Sequence, residues 1–266
     1  MTDRYVVIGN PVAHSKSPRI HALFAAATGQ DMSYETLLAP LDGFAATVRG
    51  FVAAGGCGAN VTVPFKEEAF RLATRLTDRA RAAGAVNTLS FAGAEIRGDN
   101  TDGAGLVRDL KANLGVAIAG RRVLLLGAGG AARGVILPLL TERPAELVIA
   151  NRTADKALAL ARAFPDCRAC GLDDLAGREF DLVINATSAG LTGGVPPRLT
   201  IAWAAGAFAY DMMYGRDSDF LCQAAAAGAR SADGLGMLVE QAAEAFLVWR
   251  GIRPDTAPAL AELRSA

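Results

Sequence analysis

Charge of one sign is what this chain lacks most clearly. Its 27 Lys and Arg are matched by 27 Asp and Glu, for a formal charge of zero. Binding nucleic acid or an acidic membrane surface through bulk charge needs a basic excess. A local cationic pocket for an anionic ligand is not excluded. No apolar run approaches the ~20 residues of a membrane span. The opening MTDRYVVIGNPVAHS has no basic region leading into a signal-type apolar core. The expectation is a cytoplasmic protein with no nucleic-acid or membrane partner. Histidine is scarce, with only His14 and His21. The four cysteines are Cys57, Cys167, Cys170 and Cys222. Cys167 and Cys170 form a CxxC, but no second CxxC or nearby histidine pair completes a zinc site. In a strand, that spacing turns the two thiols to opposite faces. No metal is expected.

Apolar material is plentiful, 52% of 266 residues, enough for one large domain or two ordinary ones. Short apolar runs alternate with helical stretches nearly throughout. In the first half, Tyr5–Ile8, Ser33–Leu38 and Gly58–Val63 read as strands. Ser17-Pro18 opens a helix to Ala27, with Ser17 as N-cap and Pro18 as first helical residue. Leu41–Ala54 and Phe65–Leu72 read as further helices. Ala85–Phe91 and Ala94–Arg97 read as an antiparallel pair, so this half is not a plain doubly wound sheet. In the second half, strands at Arg121–Leu126, Glu146–Ala150, Cys167–Cys170, Leu182–Asn185 and Ala207–Asp211 alternate with helices at Val135–Leu140 and Ala154–Phe164. That repetition implies a parallel sheet covered by helices on both faces. Leu235–Trp249 reads as a long amphipathic helix, and a helix near Gly103–Leu114 joins the halves.

The strongest chemical signal is the apolar strand ending in Gly127-Ala128-Gly129-Gly130-Ala131-Ala132. It is a G-x-G-x-x-A turn between a strand and a helix. Gly127 permits the tight turn, Gly129 lets backbone approach a pyrophosphate, and Ala132 allows close packing. The helix start offers N–H groups to the anion. The next strand ends Asn151-Arg152-Thr153, with Lys156 a turn later. An NAD binder usually carries an acid there for the ribose 2′-hydroxyl. Two cations fit a 2′-phosphate instead, so the cofactor expected is NADP.

Polar groups also gather in the first half. Ser15 and Ser17 precede a helix, which suits a carboxylate. The segment Asn60-Val-Thr62-Val-Pro-Phe-Lys66 places polar groups at a strand end, and Asn87 and Asn100-Thr101-Asp102 add amides and a carboxylate. Taken singly, each has a structural explanation: a helix cap for Ser17 or Asp102, a solvated surface for Lys66.

Taken together they are more specific. GNPVAHSKSPRIH, NVTVPFK, GAVNTL, GDNTDGAG, LLLGAGGAARGV, NRT, INATSAG, DMMYG and DGLGMLVEQA resemble, in order and over nearly the whole chain, the shikimate dehydrogenase family. The resemblance implies an α/β fold: a Rossmann-like NADP-binding domain over residues 103–236, and an α/β substrate domain with a mixed sheet over 1–102 and 237–266, with a cleft between them. It implies NADPH-dependent reduction of 3-dehydroshikimate to shikimate, in a monomer or homodimer. Lys66 and Asp102 would act at the reacting carbonyl and hydroxyl. Ser15 and Ser17 would hold the substrate carboxylate, and Thr62, Asn87 and Gln241 the ring oxygens. Asn60 and Tyr214 would line the pocket. Gly127, Ala128, Gly129, Gly130, Ala131, Asn151, Arg152, Thr153 and Lys156 would bind the cofactor, with Gly234 and Met237 near its nicotinamide.

Two departures from the family pattern stand out. Lys156 replaces a common arginine, and Tyr214-Gly215-Arg216 replaces a frequent Tyr-Asn-Pro. The alternatives are a quinate/shikimate dehydrogenase using NAD, a non-catalytic ligand sensor on the same scaffold, and a two-domain dehydrogenase of unrelated substrate. Arg152 speaks against the first, intact Lys66 and Asp102 against the second, and the Ser15/Ser17 segment against the third.

Overall fold

A computed structural model of the chain describes residues 2–187, 199–215 and 218–265. Ser188-Ala189-Gly190 of the INATSAG segment and Arg216 of the Tyr214 loop lie outside the described residues. The chain divides into two compact units, one of Met1–Gly105 with Leu238–Ala266, the other of Leu106–Met237. The cuts thus fall after Gly105 and Met237, against expected cuts after residues 102 and 236.

The first unit is built on β1 (Asp3–Gly9), β2 (Met32–Leu38), β3 (Gly56–Val61), β4 (Arg75–Leu76), β5 (Thr88–Ala92) and β6 (Glu95–Asp99), in the order β2-β1-β3-β5-β6-β4. β1 pairs in parallel with β2 and β3, while β5 runs antiparallel to both β3 and β6. The sheet is therefore mixed. The hairpin turns at Gly93, whose φ of 58° favours glycine. Helices α1 (Ser17–Thr28), α2 (Phe44–Ala53), α3 (Lys66–Leu72) and α4 (Asp78–Ala83) connect the strands, and α5 (Asp102–Arg108) leads out of the unit. Val6, Ile8, Phe44, Val48, Phe65 and Leu89 form much of its core.

One local expectation needs correction. Ser17 is not the cap of α1: Lys16 holds that position, and no side chain caps the helix. Instead the Ser15 hydroxyl accepts a hydrogen bond from the Ser17 N–H at 3.2 Å. Ser17 itself turns inward and is buried.

The second unit contains β7 (Arg122–Leu126), β8 (Glu146–Asn151), β9 (Arg168–Gly171), β10 (Glu179–Asn185), β11 (Ala202–Asp211) and β12 (Arg230–Ala232). Their order is β12-β11-β10-β7-β8-β9, with every neighbour parallel. This is the doubly wound arrangement, with its topological switch between β7 and β10. Helices α6 (Gly130–Thr141), α7 (Ala154–Ala161) and α8 (Asp219–Ala226) belong to this unit. Val123, Leu124, Leu125, Val148, Ile149, Val183 and Ile184 are fully buried, as continuous apolar runs in a parallel sheet should be. Two further helices, α9 (Leu235–Arg250) and α10 (Ala257–Ser265), follow. The chain returns to the first unit within the first turn of α9.

Cys167 stands just before β9 and Cys170 within it, both free. Burial pushes the Cys167 thiol up to about 11, which leaves it unreactive. No described helix is long and apolar enough to cross a membrane.

Candidate functional site

Lys66 and Asp102 are the first residues of α3 and α5. β3 ends at Val61, and Pro64 cannot donate to a further ladder. The Thr62 carbonyl accepts from the Phe65 N–H at 3.0 Å, making a turn, and α3 starts directly after it. Asp102 opens α5, where a carboxylate is favoured by the helix dipole. These two starts bring the side chains together: Lys66 Nζ donates to Asp102 Oδ2 at 2.6 Å. The Asp102 side chain is 13% exposed and that of Lys66 31%, so the carboxylate is enclosed while the ammonium remains reachable. An ammonium carries three donors, and this bond uses one.

Asn87 fixes the pair from behind. Its Nδ2 donates to Asp102 Oδ1 at 2.8 Å, to Thr101 Oγ1 at 2.9 Å and to Gln241 Oε1 at 3.3 Å. Its Oδ1 accepts from the Thr101 N–H at 2.8 Å. The Asp102 N–H donates to Asn100 Oδ1 at 3.2 Å. Both carboxylate oxygens therefore have donors, and the Asn87 donor is itself anchored by Thr101 and Gln241. Gln241 reaches this cluster because α9 packs on α5 at Gly105, where a Cβ would fall 2.7 Å from the Gln241 backbone nitrogen.

The remaining substrate-side expectations in the first unit lie on β3, just after it, and at the start of α1. Asn60 is buried with its polar atoms engaged: Nδ2 donates to the Asn87 carbonyl and Thr88 Oγ1, both at 3.1 Å, and Oδ1 accepts from the Tyr34 hydroxyl at 2.7 Å. Burial pushes that hydroxyl well above its ordinary value, with Ser17 acting in the other direction. Ser17, Tyr34 and Asn60 thus form one group. Thr62 is half-buried, and its Cγ2 fills the space that a side chain at Gly9 would need. His21 stacks on Tyr34 with ring centroids 4.1 Å apart. Burial drives its imidazole down to about 3, with Asn60 opposing. Neither ring nitrogen has a hydrogen-bond partner within ordinary limits. His21 is therefore neutral and packed. Tyr214 is the substrate-side expectation that falls in the second unit, half-buried beyond β11.

In the second unit, β7 ends in a turn at Gly127. Its φ is 108°, and a Cβ would meet the Ala186 carbonyl oxygen at 3.1 Å, so both conformation and packing require glycine. The Gly127 N–H donates to the Ala150 carbonyl at 2.8 Å, tying the turn to β8. Ala132, wholly buried, allows α6 to lie close. Gly129 and Gly130 are different. Neither has a positive φ, and a Cβ on either would meet no described atom within 4 Å. Neither the fold's backbone nor its packing asks for glycine there. Open space above the free N–H groups of a helix start is what an approaching pyrophosphate needs. Ala128 and Ala131 complete the small-residue turn.

Asn151 closes β8, and its Nδ2 donates to the Thr153 carbonyl at 3.0 Å. Arg152, Thr153 and Lys156 follow it at the start of α7, where Arg152 and Lys156 are exposed. Neither Arg152 nor Lys156 has an ion-pair partner among the described residues. The residues therefore fit a dinucleotide carrying an extra phosphate at its ribose.

Beyond β12, the Gly234 N–H donates to the Met213 carbonyl at 2.9 Å. A Cβ on Gly234 would lie 2.4 Å from the Met212 carbonyl oxygen. Met237 is buried.

The fold thus gathers Lys66, Asp102, Asn87 and Gln241 into one bonded cluster, with Asn60 reaching it through Asn87. It also places the glycine turn and Arg152 at the ends of neighbouring strands. Thr101, Asn100 and Tyr34 are hydrogen-bonded neighbours of these groups that the sequence does not single out. The first two lie inside GDNTDGAG; Tyr34 carries no motif.

Three family models match in order along the chain. They are the shikimate dehydrogenase substrate binding domain over residues 7–89, shikimate / quinate 5-dehydrogenase over 109–192, and the shikimate 5′-dehydrogenase C-terminal domain over 234–264. The shikimate dehydrogenase (NADP(+)) of Dechloromonas aromatica strain RCB is 65% identical over 270 residues, covering 100% of this chain and 98% of that one. Among solved structures, an Ael1 enzyme from Pseudomonas putida is 49% identical with a TM-score of 0.92, covering 98% of each chain. The shikimate 5-dehydrogenase of Thermus thermophilus, in complex with NADP(H) and shikimate, is 35% identical with a TM-score of 0.90, covering 99% of each.

Proposed function

Because the chain belongs to the shikimate dehydrogenase family, we propose that it interconverts shikimate and 3-dehydroshikimate with NADP(H), working at the Lys66–Asp102 pair. The observation that carries this reading is the 2.6 Å contact between Lys66 Nζ and Asp102 Oδ2, backed by Asn87. When bound, NADP(H) would supply the hydride chemistry at the reacting carbon. The protein's share is the proton at the reacting oxygen. Lys66 donates one of its remaining hydrogens to that oxygen and stabilises negative charge there. In oxidation the hydroxyl proton passes into the Lys66–Asp102 pair, and in reduction the pair returns it. Asn87 and Asn100 hold Asp102 in place throughout.

Ser15 and Ser17 are assigned to the substrate carboxylate, and Thr62, Asn87 and Gln241 to its ring oxygens. Asn60 and Tyr214 are assigned to the pocket wall. The turn from Gly127 through Ala131 would hold the pyrophosphate, and Asn151, Arg152, Thr153 and Lys156 the 2′-phosphate. Gly234 and Met237 would stand at the nicotinamide end. Two cations without ion-pair partners among the described residues, at and just beyond the end of β8, support NADP over NAD. The proposed site is drawn from one chain, so the reading holds for a cytoplasmic monomer or homodimer alike. The test is a spectrophotometric panel of shikimate and quinate against NADP⁺ and NAD⁺. Fast turnover of shikimate with NADP⁺ is expected. No turnover of shikimate with either cofactor would end the reading.

A further inference from the structure

A buried carboxylate in the second unit has no part in the chemistry described so far. Asp109, 1% exposed, begins a π-helical turn, Asp109–Asn113, that continues α5. Such turns often mark functional places. Its Oδ2 accepts from the Tyr210 hydroxyl at 2.7 Å, and its Oδ1 from Asn113 Nδ2 at 2.9 Å. The Tyr210 oxygen in turn accepts from the Met237 N–H at 3.3 Å. That N–H is in the first turn of α9, where no helix carbonyl is available to it. Between these bonds lies Gly236, whose Cβ would fall 2.0 Å from Asp109 Oδ1. Backbone there is laid directly on the carboxylate. A network this specific has a definite object: it fixes the segment from Gly234 to Met237.

The sheet order says what that segment can serve. Arg152 follows β8 and the glycine turn follows β7. A cofactor with its adenosine ribose at β8 and its pyrophosphate at β7 extends its other end toward β10, β11 and β12. Gly234–Met237 follows the carboxyl end of β12, on the ligand side of such a sheet.

We propose that Asp109 and Tyr210 are a positioning pair that holds the Gly234–Met237 backbone in place for the nicotinamide end of the cofactor. The proposal rests on the cofactor reading above. It names neither residue as catalytic.

The test compares two ligands, NADPH and 2′,5′-ADP, which keeps the phosphate end and lacks the nicotinamide. In Tyr210→Phe the Met237 N–H loses its side-chain acceptor and Asp109 loses one of its donors. NADPH affinity should fall roughly five- to ten-fold, the worth of one hydrogen bond, while 2′,5′-ADP affinity stays within about two-fold. Equal weakening of both ligands, or no change in either, overturns the proposal. Should that variant not fold, Asp109→Asn is read in the same way. A third arm needs no substitution: amide hydrogen exchange in the 234–237 segment of the unaltered protein should slow with NADPH and not with 2′,5′-ADP. Equal slowing by both, or by neither, counts against the pair. If the unaltered protein binds neither ligand, the cofactor reading fails first and takes the pair with it.

Discussion

At the scale of single residues, the proposed site in the first unit sets a reachable ammonium against an enclosed carboxylate. Lys66 is reachable and has donors to spare, while Asp102 and Asn87 are enclosed and hydrogen-bonded to each other. Removing Lys66 should therefore cost chemistry above all. Lys66→Ala is expected to lower kcat by about 10²–10⁴-fold, the usual worth of a positioned acid–base group. The shikimate KM should move far less. Steady-state kinetics decide it: near-normal kcat would return Lys66 to the status of a solvated lysine. Arg152 is the corresponding test in the second unit. It is exposed and without an ion-pair partner among the described residues, so its removal leaves no buried charge behind. Arg152→Ala should raise the NADP⁺ KM by about ten-fold, one charge-assisted contact at a screened site, and leave the NAD⁺ and shikimate KM values nearly unchanged. An unaltered preference between the two cofactors would refute the assignment.

At the scale of elements, the turn between β7 and α6 shows how glycine can answer to a ligand and not to the fold. Gly130 is the first residue of α6, with ordinary backbone and open space around its missing Cβ. Alanine there narrows the unfolded ensemble and suits a helix. Gly130→Ala should thus leave the thermal midpoint unchanged or raise it slightly, yet weaken NADP⁺ binding several-fold. A fall in stability with cofactor affinity intact would show that the glycine serves packing. This turn is fully legible in the sequence, because an apolar strand, three glycines and a helix have few other readings. The hairpin of β5 and β6 is legible for a similar reason, since Ala92-Gly93 breaks an otherwise strand-like run. Other elements carry no such signal. β4 has two residues and β12 three, too short for any periodicity. Helix α4, of six residues, is too short to stand out by pattern. Ser17 reads as a cap because Ser-Pro before an apolar stretch is a helix-start pattern, and nothing local reveals that the side chain turns inward to Tyr34. The Asn87–Asp102–Gln241 cluster joins residues as much as 154 positions apart, a relation that spacing cannot express. Resemblance alone names its members.

At the scale of the whole molecule, the question is what returns the C-terminal helices to the first unit. Part of the answer is packing: Trp249 Nε1 donates to the Leu89 carbonyl at 3.0 Å and sits where a Cβ on Gly58 would be. The rest is a chain of charges. Arg79 grips Asp99 with two nitrogens, at 2.6 and 2.8 Å, and donates to Glu244 at 2.8 Å. Arg253 then joins Glu244 at 2.7 Å to Glu240 at 2.8 Å. Asp99 on β6 is thereby linked through Arg79 to α9 and the segment after it.

The same chain of charges sets a pH dependence whose sign can be worked out. Burial acts to raise the Asp99 carboxyl, and the Arg79 fork, joined by the Thr77 hydroxyl and the Asn100 N–H, outweighs it, so the group lies below its ordinary value. A depressed carboxylate contributes stability that is present above the unfolded value, about 3.9, and lost as pH falls through the folded value. Arg79→Met should reverse that balance. With the fork gone, burial dominates, and Asp99 takes up a proton more readily folded than unfolded. At neutral pH the variant is left with an unpaired buried carboxylate, a change that costs about 3–5 kcal/mol. Arg79 is 25% exposed, so the loss should lie near the lower end. As pH falls, protonation relieves the variant while the unaltered protein forfeits its pair. The gap between the two urea midpoints should therefore be widest at neutral pH and close steadily toward pH ~4 and below. Urea unfolding of both proteins across that range measures it. A gap that stays constant with pH would mean that Arg79 acts through packing of its stem, and that Asp99 does not anchor the C-terminal helices by charge.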